Sequence, residues 1–422
     1  MTSTQPIVVV GAGPSGLLLA KYLEQNHVPV VVYESDPHAG YRPQGGTLDL
    51  HEDTGLLALK GTGLLGEARG MMRSEGEAMK VVDKTRKIWL DENVQQDQEQ
   101  QGPREGRGIG QQDEIRGRPE IHRTDLRNLL IRSLSPSNIK WDHKIHSIIP
   151  LSQTSYQLNF VDKPSITTSY LVGADGAFSL ARPLLHDIQP QYSGISMYEL
   201  DIPPSNLTSH LEAYIGKGAL MMLDEGKAVM PQMNSGRKCK VYLALKVPID
   251  WQKLHPLPED NKRKWLCGLF EGWTEEVKEI VMASEEGSIK QRKIYQFEPE
   301  LKWDTDKTGV TVMGDAAHVM SPFAGEGVNQ ALADALLLGQ TLVPLFTTSA
   351  SNTSHGQVAP TSQELGSALR TFEQRMMYRA KVEMQGSKDN MDMFFGEEPA
   401  RHLAEMLSSF GHEGPASGVM GN

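Results

Sequence analysis

Across 422 residues, 53 acidic side chains outnumber 42 basic ones, giving a net charge of −11 with no long basic run; such a chain is a poor partner for nucleic acid. It has two cysteines, Cys239 and Cys267, no Cys-x-x-Cys and no histidine cluster at metal spacing, which excludes a disulfide framework and a metal centre and fits a reducing compartment. Every apolar run falls short of the roughly eighteen residues that span a bilayer, and strand character begins at once with no signal-peptide pattern, so a cytoplasmic protein, monomeric or weakly dimeric, is expected.

The first element is Ile7-Val8-Val9-Val10, a β-branched run that predicts a buried strand. It runs into Gly11-Ala12-Gly13-Pro14-Ser15-Gly16, then a helix carrying Leu17, Leu18, Leu19, Ala20 and Leu23. In this turn Gly11 permits the reversal, Gly13 lets a pyrophosphate approach the backbone, and Gly16 lets helix and strand pack closely. Pro14 suits the first helical turn, where a missing N–H costs nothing. The helix N-terminus turns unpaired N–H groups and a positive dipole end toward phosphate. A second strand, Val30 to Tyr33, delivers Glu34 about twenty residues on, where an acid accepts hydrogen bonds from ribose hydroxyls. The glycines alone are a weak signal. Strand, turn, helix, strand and acid in this order point to a dinucleotide site.

Residues 91–118 are polar and rich in Gln, Gly, Arg and Glu, a long excursion without apolar periodicity. A helix is expected over 120–130, with Leu126, Leu129 and Leu130 on one face. Alternating strands follow at 140–149 and 155–161, then the buried run Tyr170-Leu171-Val172 ends at Gly173-Ala174-Asp175-Gly176. From 184 to 290 short strands recur, at Glu212–Leu223, Lys227–Met233 and Lys238–Val247, the last two joined by an Asn234-Ser235-Gly236 turn. This pattern predicts an antiparallel sheet, a usual setting for a substrate pocket.

The chain then returns through Thr311-Val312-Met313-Gly314-Asp315-Ala316-Ala317-His318 and Ser321-Pro322-Phe323-Ala324-Gly325-Glu326-Gly327-Val328-Asn329. Asp315, just past a buried strand, is placed to accept hydrogen bonds from hydroxyl groups. The Gly325-x-Gly327 turn opens a helix to Leu345 whose positive end can face a flavin N1–C2=O edge, which becomes anionic on reduction. A Ser/Thr-rich linker at 347–362 leads to a last long helix over 363–395. Together these segments predict FAD as cofactor.

The stretches Gly11–Gly16, Gly173–Gly176 and Gly314–His318 resemble the three fingerprints of the class A flavoprotein monooxygenases, the family of p-hydroxybenzoate hydroxylase. Gly45-Gly46-Thr47-Leu48-Asp49-Leu50-His51, the Arg123–Arg127 helix and Pro322-Phe323-Ala324-Gly325 look most similar to its tetracycline-inactivating members. The resemblance implies an α/β fold: a Rossmann-like FAD-binding domain (1–75, 116–183 and 290–345) interleaved with an antiparallel-sheet substrate domain (76–115 and 184–289), plus a C-terminal bridging helix (363–395). It implies that Gly11, Gly13, Gly16, Glu34, Asp49, Arg123, Asp315, Gly325, Gly327 and Val328 hold FAD, and that the Asp175-Gly176 turn is associated with both FAD and the nicotinamide cofactor. Arg42 matches an arginine assigned to NADPH. The implied reaction is oxygen insertion: NADPH or NADH supplies electrons, O2 adds at the flavin C4a position, and one oxygen passes to an electron-rich aromatic or polycyclic substrate. Epoxidation, Baeyer–Villiger insertion, oxidation without oxygen transfer and a non-catalytic carrier share the fold and stay open.

Aligned on that resemblance, three polar drug-contacting residues of the tetracycline enzymes become Glu199, Ala219 and Lys240, and a glycine becomes Tyr242, which narrows the cavity and argues for another substrate. Met221, Met230, Pro322 and Phe323 are expected apolar walls. Glu199 either orients or deprotonates a substrate hydroxyl or is a solvated strand residue; no other catalytic group is assigned. His51 and His318 are expected to be buried and satisfied by backbone groups, Trp89 and Trp141 to be ordinary strand residues, and both cysteines to be inert.

Overall fold

The valine-rich strand Ile7–Val10 is buried along its whole length and sits at the centre of a five-stranded sheet. The order is Val310–Val312, Leu171–Gly173, Ile7–Val10, Val30–Tyr33, Ile139–Lys140, and every pairing is parallel. A parallel sheet is covered on both faces, which is why these strands are continuous apolar runs. The computed structural model describes residues 5–42, 45–73, 78–93, 118–300, 307–351 and 360–410. Most of the excursion expected at 91–118 and half of the 347–362 linker therefore lie outside the described residues.

The chain divides into two compact units, Met1–Ser74 with Ile115–Ser193 and Tyr295–Lys388, and Glu75–Glu114 with Gly194–Ile294 and Asp389–Asn422. In the first unit the helix Pro14–Gln25 buries Leu17, Leu18, Leu19, Ala20 and Leu23. The helix Gly327–Ser351 comes close beside it: a β-carbon on Gly339 would lie 2.4 Å from the Tyr22 ring. The unit also holds a three-stranded antiparallel sheet, Ile145–Ser152, Ser155–Phe160 and Lys163–Thr168, and a two-stranded ribbon of Thr47–Asp49 with Glu120–His122.

The second unit is built on a seven-stranded sheet in the order Lys290–Gln296, Gln191–Ile202, Lys238–Lys246, Lys227–Asn234, Ala219–Asp224, Met79–Asp83, Ile88–Asp91. Tyr198, Leu200, Val241, Leu243, Val229, Leu220 and Met222 fill one face, closed by Leu266 of the helix Lys262–Leu269, by Phe270 just past its end, and by Val277 and Ile280 of the helix Glu275–Ala283. The sheet is mixed rather than purely antiparallel, because Met79–Asp83 joins Ala219–Asp224 in parallel.

Several expected elements need correction. Glu212 lies on a helix, Ser209–Ile215, capped by the Thr208 hydroxyl and stopped by Gly216 at φ 90°; the strand starts only at Ala219. The segment at 120–130 opens as a strand, and its helix begins at Arg123, where His122 accepts from the Thr124 N–H. The Gly327 helix continues to Ser351, with Pro344 inside it. The long C-terminal helix spans Ser362–Phe394, and a further helix, Pro399–Phe410, follows. Among the described residues no helix is long and apolar enough to cross a membrane.

Candidate functional site

Gly11, at φ +102°, passes so close to the neighbouring turn that a β-carbon there would lie 2.4 Å from the Ala174 carbonyl oxygen. Gly16 faces the Gly11 carbonyl oxygen at a would-be 2.1 Å, so both positions accept glycine alone. Gly13 is different. It caps the helix with no side-chain acceptor, and a β-carbon on it would meet nothing within 4 Å. The helix N-terminus thus has uncapped N–H groups behind a glycine that leaves room for a ligand.

Glu34 is buried and holds this turn directly. Its carboxylate accepts from Ala12 N–H at 2.6 Å, Asp36 N–H at 2.9 Å and the Ser35 hydroxyl at 3.0 Å. A carboxylate offers about four lone-pair sites, so capacity for a hydroxyl donor remains. Behind it lies a residue that sequence reasoning did not single out. Arg127, almost wholly buried, donates to the carbonyls of Ala12 (3.1 Å) and Ala39 (2.9 Å) and to Asp36 (3.2 Å), with its guanidinium 5.4 Å from the centre of the Trp141 ring. Trp141 lies just past the strand Ile139–Lys140, as part of this buttress and not as a strand residue. Arg42 is largely exposed and donates through Nε to Asp36 at 2.9 Å.

The Asp175 turn follows the strand beside Ile7–Val10. Its carboxylate accepts from the Ser179 hydroxyl at 2.5 Å and Leu180 N–H at 2.7 Å, and burial pushes its carboxyl above the usual range against those bonds. Arg182, fully buried, ties this turn to the next segment by donating to Ala177 O and Ala316 O.

Asp315 begins a short helix beyond the strand Val310–Val312. Its side chain is reached by solvent, yet surrounding protein strips water from the carboxyl and raises it above the usual range, with His318 and Arg123 pulling the other way. Accessible but crowded is the condition of a group on a concave wall. Arg123, exposed at its head, runs its stem 3.2 Å from where Gly45 would carry a β-carbon. His318 is buried with Nε2 2.6 Å from Asp334, which also accepts from Gly314 N–H at 2.9 Å and from Arg379. Burial disfavours the charged His318 ring, but Asp334 outweighs it and the pKa is raised.

The third segment meets the first ribbon. Asn329, fully buried, donates to Asp49 O and accepts from His51 N–H, both at 3.0 Å. Gly325 is left-handed at φ 73°, and a β-carbon there would stand 3.2 Å from both Asp49 carboxylate oxygens. His51 lies between Asp49 (2.9 Å) and Glu326 (2.8 Å). His51 is therefore satisfied by two carboxylates and not by the backbone groups expected: Asp49, two residues before it, and Glu326 from a segment far along the chain. His318 combines the Asp334 carboxylate with a backbone bond, so the expectation holds for it only in part. Gly327 leaves nothing within 4 Å of a would-be β-carbon, and Val328 packs partly into the core. Phe323 is buried while its neighbour Pro322 is exposed.

In the second unit, strand register puts the expected pocket residues on one face. Glu199 pairs with Tyr242 and Tyr242 with Met230; Asp201 pairs with Lys240, Lys240 with Gln232, and Gln232 with Ala219. Met221, two residues beyond Ala219, joins the same face, opposite the helical core. Lys240 is buried with its ammonium 2.9 Å from Asp201 and 3.7 Å from Glu199, and Arg292 donates to Glu199 at 3.2 Å. Glu199 is thus a charge-compensated member of a network rather than a solvated strand residue. Burial pushes the Cys239 thiol up to about 12, out of reach of thiolate chemistry at neutral pH. Among the described residues no cluster of His, Cys, Asp and Glu could hold a metal ion.

The donor set fits FAD: an uncapped helix end and a void at Gly13 for the pyrophosphate, and carboxylates at Glu34 and Asp315 for hydroxyls. The FAD binding domain family matches residues 4–361. The chain is 28% identical to Monooxygenase penA of Penicillium thymicola, over 97% of this chain and 99% of that one. The HpxO structure from Klebsiella pneumoniae with FAD and uric acid shares the fold at a TM-score of 0.71 and 18% identity, covering 97% and 94% of the two chains. Tetracycline destructase Tet(51) does so at 0.66 and 18%, covering 96% and 95%. The chain belongs to the FAD binding domain family and is an FAD-dependent monooxygenase of the hydroxylase and epoxidase class.

Proposed function

We propose that the enzyme hydroxylates a small aromatic or polycyclic molecule, with NADPH or NADH as reductant and O2 as oxygen source, in secondary metabolism or xenobiotic modification. The observation that carries the substrate class is the face bearing Glu199, Tyr242, Met230 and Met221. Two thioethers and a phenol ring provide soft, polarisable surface for a flat ring system. The Lys240–Glu199–Arg292 network at its edge provides fixed polar groups to orient a ring hydroxyl. Held between Lys240 and Arg292, the Glu199 carboxylate accepts a hydrogen bond from that hydroxyl and orients it.

When bound, FAD supplies the oxygen-transfer chemistry; the chain holds and orients the reactants. Gly13 and the helix end take the pyrophosphate, Glu34 and Asp315 take the ribose and ribityl hydroxyls, and Arg42 meets the nicotinamide cofactor. Full-length likeness to a fungal monooxygenase supports the metabolic setting. The test is turnover under 18O2 with NADPH against a panel of phenolic and polycyclic compounds. One labelled oxygen in a hydroxylated product is expected. Oxidation of every accepted compound without label in the product would overturn the reading.

A further inference from the structure

His51 has a carboxylate at each ring nitrogen: Asp49 Oδ2 at 2.9 Å from Nε2 and Glu326 Oε1 at 2.8 Å from Nδ1, with little of the ring exposed. A neutral imidazole has one N–H and one lone pair, so it would set that lone pair against an anion at one contact. Only the doubly protonated ring donates at both. The two carboxylates and the imidazolium then leave one net negative charge. The network continues through α-helical residues: Gln330 donates to Glu326 at 3.4 Å, and Arg379 donates through Nε to Gln330 at 2.6 Å and through a terminal nitrogen to Asp334.

We propose that His51 is a positioning residue for the bound flavin: clamped between Asp49 and Glu326, it fixes the Gly325–Gly327 turn and holds the charge there at one negative unit instead of two. The inference rests on the reading that the flavin ring lies against Gly325–Val328. Reduced flavin is anionic, so each added negative charge at this turn disfavours it relative to the oxidised form. Removing the His51 charge therefore lowers the reduction potential, and removing Glu326 raises it. The proton on His51 is held well: burial opposes it, but the bonds to Asp49 and Glu326 outweigh burial and raise the pKa to about 9. Among the described residues Glu383, on the Ser362–Phe394 helix, interacts with Glu326 and His51; its carboxyl is raised first by burial and then by Glu326, with His51, Arg118 and Arg379 pulling the other way.

The experiment is spectroelectrochemical titration of the FAD-loaded enzyme as wild type, His51→Gln, Glu326→Gln and the double variant. His51→Gln should hold reduced FAD about tenfold less tightly relative to oxidised FAD, about 30 mV lower for a two-electron couple. The double variant restores one net negative charge and should recover most of that loss, which repair of a merely structural defect would not do. Wild type should show an extra fall in potential on passing pH 9 that His51→Gln lacks. Equal potentials in wild type and His51→Gln, or a double variant that stays low, overturn the proposal. If His51→Gln does not fold, Glu326→Gln decides, because its potential must rise. Gly327→Val tests the premise separately. Full FAD content with an unchanged flavin spectrum there would remove the ring from this turn, whereas lost FAD beside an unshifted His51→Gln would sink the His51 proposal alone.

Discussion

Gly16 lies directly under Gly11, with its would-be β-carbon 2.1 Å from the Gly11 carbonyl oxygen, while Gly13, between them, faces open space. The two contacts separate packing from ligand binding. Gly16→Ala forces helix and strand apart and should cost about 3 kcal/mol in denaturant unfolding of the apoprotein. Gly13→Leu should leave that stability within about 1 kcal/mol yet abolish FAD retention. A Gly13→Leu protein that purifies yellow contradicts the assignment.

Arg127 is the buried support of the same turn, with bonds to Ala12, Ala39 and Asp36. Arg127→Met leaves Asp36 buried with only the exposed Arg42, and should cost about 3–5 kcal/mol. Lysine should not rescue it, since an ammonium cannot span three acceptors set for a planar fork. Thermal melts of the two apo variants check this.

Crowding raises the Asp315 carboxyl above its unfolded value. The folded state therefore binds more protons, and stability falls as pH rises from the ordinary aspartate range through the raised folded value. Asp315→Asn removes that penalty, so the apoprotein should melt higher at pH 7 than wild type. FAD affinity should drop about tenfold or more with the loss of a charged acceptor. A variant that loses stability while keeping FAD affinity would show that Asp315 serves the fold and not the ligand.

His51 and His318 both have raised pKa values. A raised group gives its full stabilisation below the unfolded value near 6.5 and loses it as pH climbs through the folded value. Apoprotein stability should fall between pH 6.5 and about 9, by roughly 2 kcal/mol from His51. His51→Gln should flatten the slope over that window. Parallel slopes in urea titrations of the two proteins would exclude His51 as the source.

Tyr242 stands between Glu199 and Met230 across three strands. Tyr242→Gly should admit larger ring systems, seen as a lower KM for bulky compounds and a higher one for the best small compound. An unchanged substrate profile would place Tyr242 outside the pocket.

The glycine turn was legible because its demands are local: a reversal, a close approach and a helix start lie within six residues. The buried strand Ile7–Val10 followed from its β-branched run, and the start of the last long helix from the Ser/Thr-rich stretch before it. Arg127 and Asn329 were not legible. Each sits on a helix, and its partners, Ala12 and Asp49, lie 115 and 280 residues away in sequence. A hint existed in Arg127, which follows Leu126 on the buried side of its helix. The Ser209–Ile215 helix was missed because Leu211, Tyr214 and Ile215 suit a strand equally well; Thr208 and Gly216 were the signals that bound it.

The most direct test of the three-turn site is the electron density of FAD in crystals of the loaded enzyme. The pyrophosphate should lie on the backbone at Gly13, with the adenosine ribose at Glu34 and the ribityl chain at Asp315. Density for the dinucleotide that leaves Asp315 and the Gly13 turn untouched would contradict it.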